Sequence, residues 1–295
     1  MAAVTADRPF AHSPIVDRPR LRLPPGRRLA AYVVLNVEHY ERGKPAISLF
    51  QGTAGLVPDV LNEGWREYGP RVGIWRLLDI FDRLRIPVTA ALNSDVCTAY
   101  PELVREGTAR GWAWVAHGAS NTTLQAGMDE DAERAYLARV IETIEEATGS
   151  RPAGWLSPAL TETEATLGLL GDLDVSYVLD WSHDDQPVAL EAGGHRLLAL
   201  PYAAELNDIP AFVLARQTGP QFGEAIVDAF DCLYAESLEV PRVFSLGLHP
   251  FLTGQPHRAI HLERALAHVA AHDDVWLTTA DEVARFTLEQ REGTP

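Results

Sequence analysis

The sequence predicts an α/β fold: a parallel sheet with helical crossovers, rolled into a barrel. Three observations carry this expectation. Apolar runs of strand length recur at Leu29 to Leu35, Pro87 to Leu92, Trp112 to Ala116, Ala153 to Leu156, Val175 to Leu179, Val243 to Leu248 and Val275 to Leu277. Segments with helical periodicity separate most of them, as expected for parallel strands joined by crossovers. About seven such strands favour a barrel over an open sheet.

Taken in order, residues 1–28 hold Arg8, Arg18, Arg20, Arg22, Arg27 and Arg28 among several prolines and show no periodicity. They are expected to form an irregular arm on the surface or on a neighbouring subunit. No linker-like stretch follows, so residues 29–295 read as one domain. After the first strand, Arg42 to Tyr68 is rich in glycine and proline and reads as a long loop, functional or at an oligomer contact. Ile74, Leu77, Leu78, Phe81 and Leu84 then mark one face of a helix, and Ala99 to Ala109 is helical. Asp129 to Thr148 is a long amphipathic helix stopped by Gly149. Thr161 to Leu173 is a helix with Thr161 as N-cap and Glu164 as its capping-box partner. The alternation breaks at Pro187 to Pro201, where Gly193-Gly194 between two apolar runs signals an added β-hairpin. Leu206 to Ala215 is irregular. Phe222 to Ser237, Arg258 to His272 and Ala280 to Glu289 are the last helices.

Composition excludes several classes. A hydrophobic fraction of 46% with 22% charged residues is that of an ordinary globular protein. A net charge of −16 argues against nucleic acid and anionic membranes as partners. Only Cys97 and Cys232 occur, which argues against a disulfide scaffold and for a reducing compartment. No apolar stretch approaches the roughly 18–20 residues of a membrane span. The N-terminus shows no apolar signal-peptide core. A cytoplasmic protein is expected.

Ligands of α/β folds sit at the C-terminal ends of strands, and four strand ends here carry reactive side chains. Glu38 and His39 follow the first strand. A carboxylate half-removed from water has a raised pKa and suits a general base, although a loop cap or an arginine partner is the plainer role. His117 ends a later strand, with Gly118 allowing close backbone approach and Asn121 four residues on. Arg151 precedes Trp155 and could orient a carboxylate. Asp180-Trp181 with Asp184-Asp185 forms a polar cluster in which an aspartate could hold a histidine or arginine in register. His249 ends the strand from Val243 and is a candidate acid for a leaving nitrogen. His257, His261, His268 and His272 look like a metal tract, but the apolar face of their helix is Ile260, Leu262, Leu266 and Val269, so they read as solvated or interfacial.

Together these stretches resemble the polysaccharide deacetylase (NodB-homology) superfamily, in its allantoinase-like, cyclic imide hydrolase-like branch. The motifs fall in family order: Asn36-Val37-Glu38-His39, His117-Gly118-x-x-Asn121, Arg151-Pro152-x-Gly154-Trp155, Asp180-Trp181, Leu206-Asn207-Asp208 and Leu248-His249-Pro250. Tyr68 to Arg76 and Thr253 to Arg258 also resemble that branch. The resemblance implies a distorted (β/α)7 barrel that hydrolyses C–N bonds. It places Glu38 at the base position, and His39, His117 and Asn121 at the metal-ligand positions of metal-dependent members. Asn121 replaces a histidine there, and an amide is a poor transition-metal ligand. No cofactor is firmly implied, although a weak zinc-like divalent ion at His39 and His117 is compatible with the set.

The expected chemistry is ring opening of a small cyclic amide or imide such as allantoin, a succinimide or a hydantoin. Glu38 would activate water, His117 and Asn121 would bind the oxyanion, His249 would protonate the nitrogen, and Asp185 or Arg151 would position them. Trp155 and Trp181 would wall the pocket, with His39, Asp180 and Asp184 as further substrate contacts. The reading requires Glu38, His117 and His249 to converge around room for a compact amide. A metal-dependent N-deacetylase of a sugar polymer and a catalytically silent binding barrel are the alternatives. The resemblance also implies a homo-oligomer, a tetramer or dimer.

Overall fold

The computed structural model describes residues 8–18 and 20–292; residues 1–7 of the arm lie outside the described residues. Strand β1 (Leu29–Val37) is buried along all nine residues. A strand apolar on both faces needs cover on both, and β1 obtains it inside a curled sheet, beside the edge strand β8. It pairs in parallel with β2 (Val88–Leu92) along its C-terminal half and with β8 (Arg242–Leu248) on the other edge; β9 (Val275–Leu277) pairs with its first three residues. From β2 the sheet continues in parallel through β3 (Ala113–Ala116), β4 (Gly154–Trp155), β5 (Tyr177–Val178) and β7 (His195–Ala199), and β6 (Val188–Ala192) closes it as an antiparallel edge. The order is therefore β6-β7-β5-β4-β3-β2-β1-β8.

Helices α1 (Val60–Tyr68), α2 (Ile74–Leu84), α3 (Val96–Ala99), α4 (Pro101–Ala109), α5 (Glu130–Thr148), α6 (Thr166–Asp172), α7 (Gly219–Glu236), α8 (Pro256–Ala270) and α9 (Ala280–Glu292) complete the fold. This is the expected distorted (β/α)7 barrel with a hairpin. Its distortion is a seam, because the two edge strands, β6 and β8, do not pair. Loop backbone bridges the seam: the Gly247 N–H donates to the Leu206 carbonyl at 3.1 Å and the Val243 N–H to the Asp185 carbonyl at 2.9 Å.

Most elements lie where the apolar patterns put them, and the exceptions have physical causes. The Gly193-Gly194 turn joins β6 to β7 with both glycines at positive φ, as a two-residue type I′ hairpin needs. The expected loop Arg42 to Tyr68 contains α1. Asp59 caps it through Asn62, whose amide also binds both backbone groups of Phe50. Helix α6 starts at Thr166 rather than Thr161, and no Thr161–Glu164 box forms. Instead the Thr163 and Thr166 hydroxyls both donate to the buried Glu133 carboxylate of α5 at 2.5 Å, which holds the preceding residues in a loop. The α8 histidines lie partly against α7: His268 pairs with Asp231 at 2.7 Å and His272 packs on Tyr234.

Because all strands but β6 run parallel to one another, the C-terminal ends of β1, β2, β3 and β8 share one mouth. The loop after β8 is set there by backbone-to-backbone packing. A Cβ on Gly73 would stand 2.0 Å from the Pro250 carbonyl oxygen, and one on Gly254 2.2 Å from the same atom. Arg76 ties the contact down by donating to the Gly254 carbonyl and to the Tyr68 hydroxyl. Gly73→Ala is therefore expected to cost about 1–3 kcal/mol through overpacking. Gly64→Ala, at an α1 position with open space around it, should gain about 0.5–1 kcal/mol. Thermal denaturation of both variants checks the pair: Tm falls for the first and rises for the second.

Candidate active site

Glu38 leaves the end of β1 with its side chain only 3% exposed. Its Oε1 lies 3.4 Å from His117 Nε2 and 3.3 Å from His249 Nε2. The Asn121 amide nitrogen donates to Oε1, and the Tyr40 hydroxyl donates to Oε2 at 2.5 Å. One carboxylate thus collects polar groups from three strand ends. His117 ends β3, and its Nδ1 lies 2.6 Å from the Leu156 carbonyl. A carbonyl only accepts, so Nδ1 carries a proton and Nε2 is the nitrogen turned to Glu38. Gly118 follows at φ +64°, and a Cβ there would meet Pro158 and the Tyr136 hydroxyl at 2.6 Å. That turn brings Asn121 back, where its N–H binds the His39 carbonyl at 3.0 Å. Asn93, after β2, clamps the ends together. Its amide nitrogen donates to the His117 carbonyl and to Asn121 Oδ1, and its oxygen accepts the His39 N–H.

His249, after β8, is held from behind. Asp208 Oδ1 lies 2.6 Å from His249 Nδ1, and Oδ2 accepts the His249 N–H at 2.8 Å and the Thr253 hydroxyl. Burial lowers the His249 pKa, but Glu38 and Asp208 outweigh it and raise the group to about 10. Burial pushes Glu38 the other way, yet the charge on His249 and the hydrogen bonds of the two histidines reverse this and hold it well below the ordinary carboxylate range. This overturns the expectation of a raised Glu38. At neutral pH the site is an ionised carboxylate beside an imidazolium, the state a base and an acid need before reaction.

The convergence of Glu38, His117 and His249 is as expected, but the space is not. The recess beside Glu38 measures about 20 Å³ and is walled by Tyr40, Arg66, Pro70, Leu103, Pro250 and Phe251. That is room for one water, not for a ring. Phe251 packs edge-on against Trp65 at 4.8 Å and Tyr40 at 6.1 Å, with Arg66 over the Tyr40 ring.

Other expected residues fall elsewhere. Arg151 stands before β4, at the opposite end from the mouth, and pairs with Glu145 at 2.8 Å and with the Leu173 carbonyl. It does not position the site. Trp155 is fully buried and its indole donates to Ser157, so it walls no pocket. Asp184 is engaged by Arg18 of the arm, and Asp185 meets β8 through its carbonyl; neither touches the cluster. The His39 ring packs at 5.8 Å from Tyr100, and its Nδ1 is buried without a hydrogen-bond partner among the described residues. Trp181 packs against Phe10 and donates to Glu162 at 3.2 Å. Asp180 accepts the Ser157 N–H and hydroxyl at 2.6 and 2.7 Å. Burial raises both Asp180 and Glu162, and in Glu162 the Asp180 charge adds to it.

Four residues of the cluster were not singled out from sequence: Tyr40, Asn93, Asp208 and Thr253. Asp208 and Thr253 gave a signal, as the end of the Leu206-Asn207-Asp208 stretch and the start of the Thr253 to Arg258 stretch.

The family-position donors fit a metal poorly. Asn121 turns its N–H end to Glu38, and a donor nitrogen has no lone pair for a cation. Among the described residues no group of three His, Cys, Asp or Glu side chains is placed to hold a metal ion. The weak ion envisaged at His39 and His117 therefore lacks a ligand set, and no step below passes through one.

Residues 67–178 match the polysaccharide deacetylase family model. The structure is similar to that of PuuE allantoinase, with a TM-score of 0.85 and 29% identity over 94% of this chain and 96% of that one. It is also similar to a Pseudomonas aeruginosa PAO1 protein described as a probable polysaccharide deacetylase, with a TM-score of 0.83 and 29% identity over 95% and 97% of the two chains. The peptidoglycan deacetylase of Helicobacter pylori is 24% identical over 79% of this chain and 89% of that one. The chain is thus similar to polysaccharide deacetylases and to an allantoinase, likenesses that indicate a hydrolase of carbon–nitrogen bonds other than peptide bonds.

The His249–Asp208 contact sets a pH dependence. A histidine raised from 6.5 to about 10 contributes its stabilisation fully below pH 6.5 and loses it as pH rises through 10. The acid function of His249 should fail over the same alkaline limb. Asp208→Asn removes one of the two anions that raise it, so the alkaline limb of kcat/KM should move down by about one pH unit or more. An unmoved limb would contradict the tether.

Proposed function

We propose that the protein opens a small cyclic amide or imide by metal-independent hydrolysis at Glu38. The observation that carries this is the Glu38 carboxylate, ionised and set between a protonated His249 and His117, beside a recess of one water. Glu38 takes a proton from that water as its oxygen attacks the ring carbonyl carbon. The oxyanion that forms is stabilised by the Asn121 amide nitrogen, a good donor contributing about 3–4 kcal/mol, and by His117 Nε2 where the ring carries a proton on both nitrogens. The C–N bond breaks as His249 gives its Nε2 proton to the leaving nitrogen. One acid group and one amide or amine remain on the same molecule. Glu38 then returns its proton to His249 across 3.3 Å, which restores the starting ion pair.

The size of the recess favours a compact substrate over a polymer. A ring enters only if Tyr40, Arg66 or Phe251 gives way, whereas a polysaccharide chain requires an open groove along the mouth. The likeness to PuuE allantoinase supports the same side. Ring opening buries the reacting bond among preset dipoles, where they act more strongly than in water.

A panel of allantoin, hydantoin, succinimide and acetylated chitooligosaccharide, assayed with and without chelator, tests the reading. Turnover of at least one cyclic member, unaffected by chelator, is expected, with no release of acetate. Glu38→Gln and His249→Ala should each lower kcat by about 100-fold or more while circular dichroism stays unchanged. Acetate release that chelator abolishes would replace this function with that of a metal-dependent deacetylase.

A further inference from the structure

A second cavity lies at the barrel seam, away from Glu38. It measures about 1430 Å³ and runs between the N-terminal arm and the edge strands β6 and β8, with α7 and α9 beside it. Its charged lining inverts that of the whole molecule. The chain has 41 acidic against 25 basic residues. The cavity has five arginines, Arg8, Arg18, Arg20, Arg22 and Arg196, against Asp184 and Asp185 alone, an excess of three positive charges. Arg18 is bound to Asp184 through both carboxylate oxygens. Arg8, Arg20, Arg22 and Arg196 have no ion-pair partner among the described residues. Carboxylates are abundant in this sequence, so their scarcity in a lining that holds four unpaired arginines is not a shortage of supply.

The arm that brings these arginines is fixed rather than draped. Besides the Arg18–Asp184 pair, the Pro9 carbonyl accepts the Glu191 N–H of β6 at 2.7 Å, and the Phe10 ring stacks on His183 at 4.3 Å. Holding like charges near one another costs free energy unless an anion relieves them, and guanidinium forks suit oxyanions in particular. We infer that the seam cavity is a binding site for a small multivalent oxyanion, a polyphosphate or polycarboxylate, held by Arg20, Arg22 and Arg196 with Arg8 at its rim.

The test is calorimetric titration of the full chain with inorganic pyrophosphate at low salt, and with citrate in parallel. Arg20→Gln/Arg22→Gln/Arg196→Gln is the test variant; all three positions are exposed, so folding should survive and circular dichroism verifies it. Arg83→Gln/Arg134→Gln/Arg285→Gln, at ion-paired sites on the helices, is the charge-matched control. One saturable site for either anion is expected, weakened tenfold or more in the triple variant and within twofold in the control. Absence of saturable binding to both anions, or equal losses in the two variants, would overturn the proposal.

Discussion

The structure turns on a buried ion pair, the Glu38 carboxylate against the His249 imidazolium. Each charge would be costly alone at this depth, and removing one partner of such a pair typically costs about 3–5 kcal/mol. The fold meets that cost by surrounding both with committed groups. Asp208 and Thr253 stand behind His249, and Asn121, Tyr40 and His117 face Glu38. The surrounding strands supply these partners because a parallel sheet delivers every C-terminal end to the same mouth. The pairing that brings β8 beside β1 is thus what makes the ion pair, and the open seam towards β6 runs along the other edge of β8.

The opposite pulls on the two groups are one interaction seen twice. Glu38 is held down because His249 is charged, and His249 is held up because Glu38 and Asp208 are charged. A carboxylate so stabilised is a weak base at rest. Its basicity rises as His249 passes its proton to the leaving nitrogen, since the cation that depressed it is then gone. Acid and base functions are therefore matched in time as well as in space, and a full cycle returns the proton over a single short contact.

Much of this was legible in the sequence. Glu38, His117 and His249 each follow an apolar run of strand length, and parallel topology alone sends such residues to a common place. Asp208 was less legible, because its stretch has no periodicity and its carboxylate matters only through His249. Arg151 was misplaced because β4 is just Gly154–Trp155; the arginine precedes the strand and so stands at the wrong end of it. Trp155 was misread because alternation along a two-residue strand does not tell which side faces the core. Helix α1 hid in a glycine- and proline-rich stretch whose apolar residues, Val60 and Leu61, are exposed. The near-closure of the recess by Tyr40 and Phe251 depends on ring packing between segments far apart in the chain, which no local pattern records.

The central claim is that Glu38 and His249 face each other as ions at neutral pH. Nitrogen-15 NMR of the His249 imidazole across a pH titration measures this directly. The account predicts both ring nitrogens protonated through neutrality, with loss of a proton only near pH 10. A His249 that titrates at or below the ordinary histidine value would contradict it.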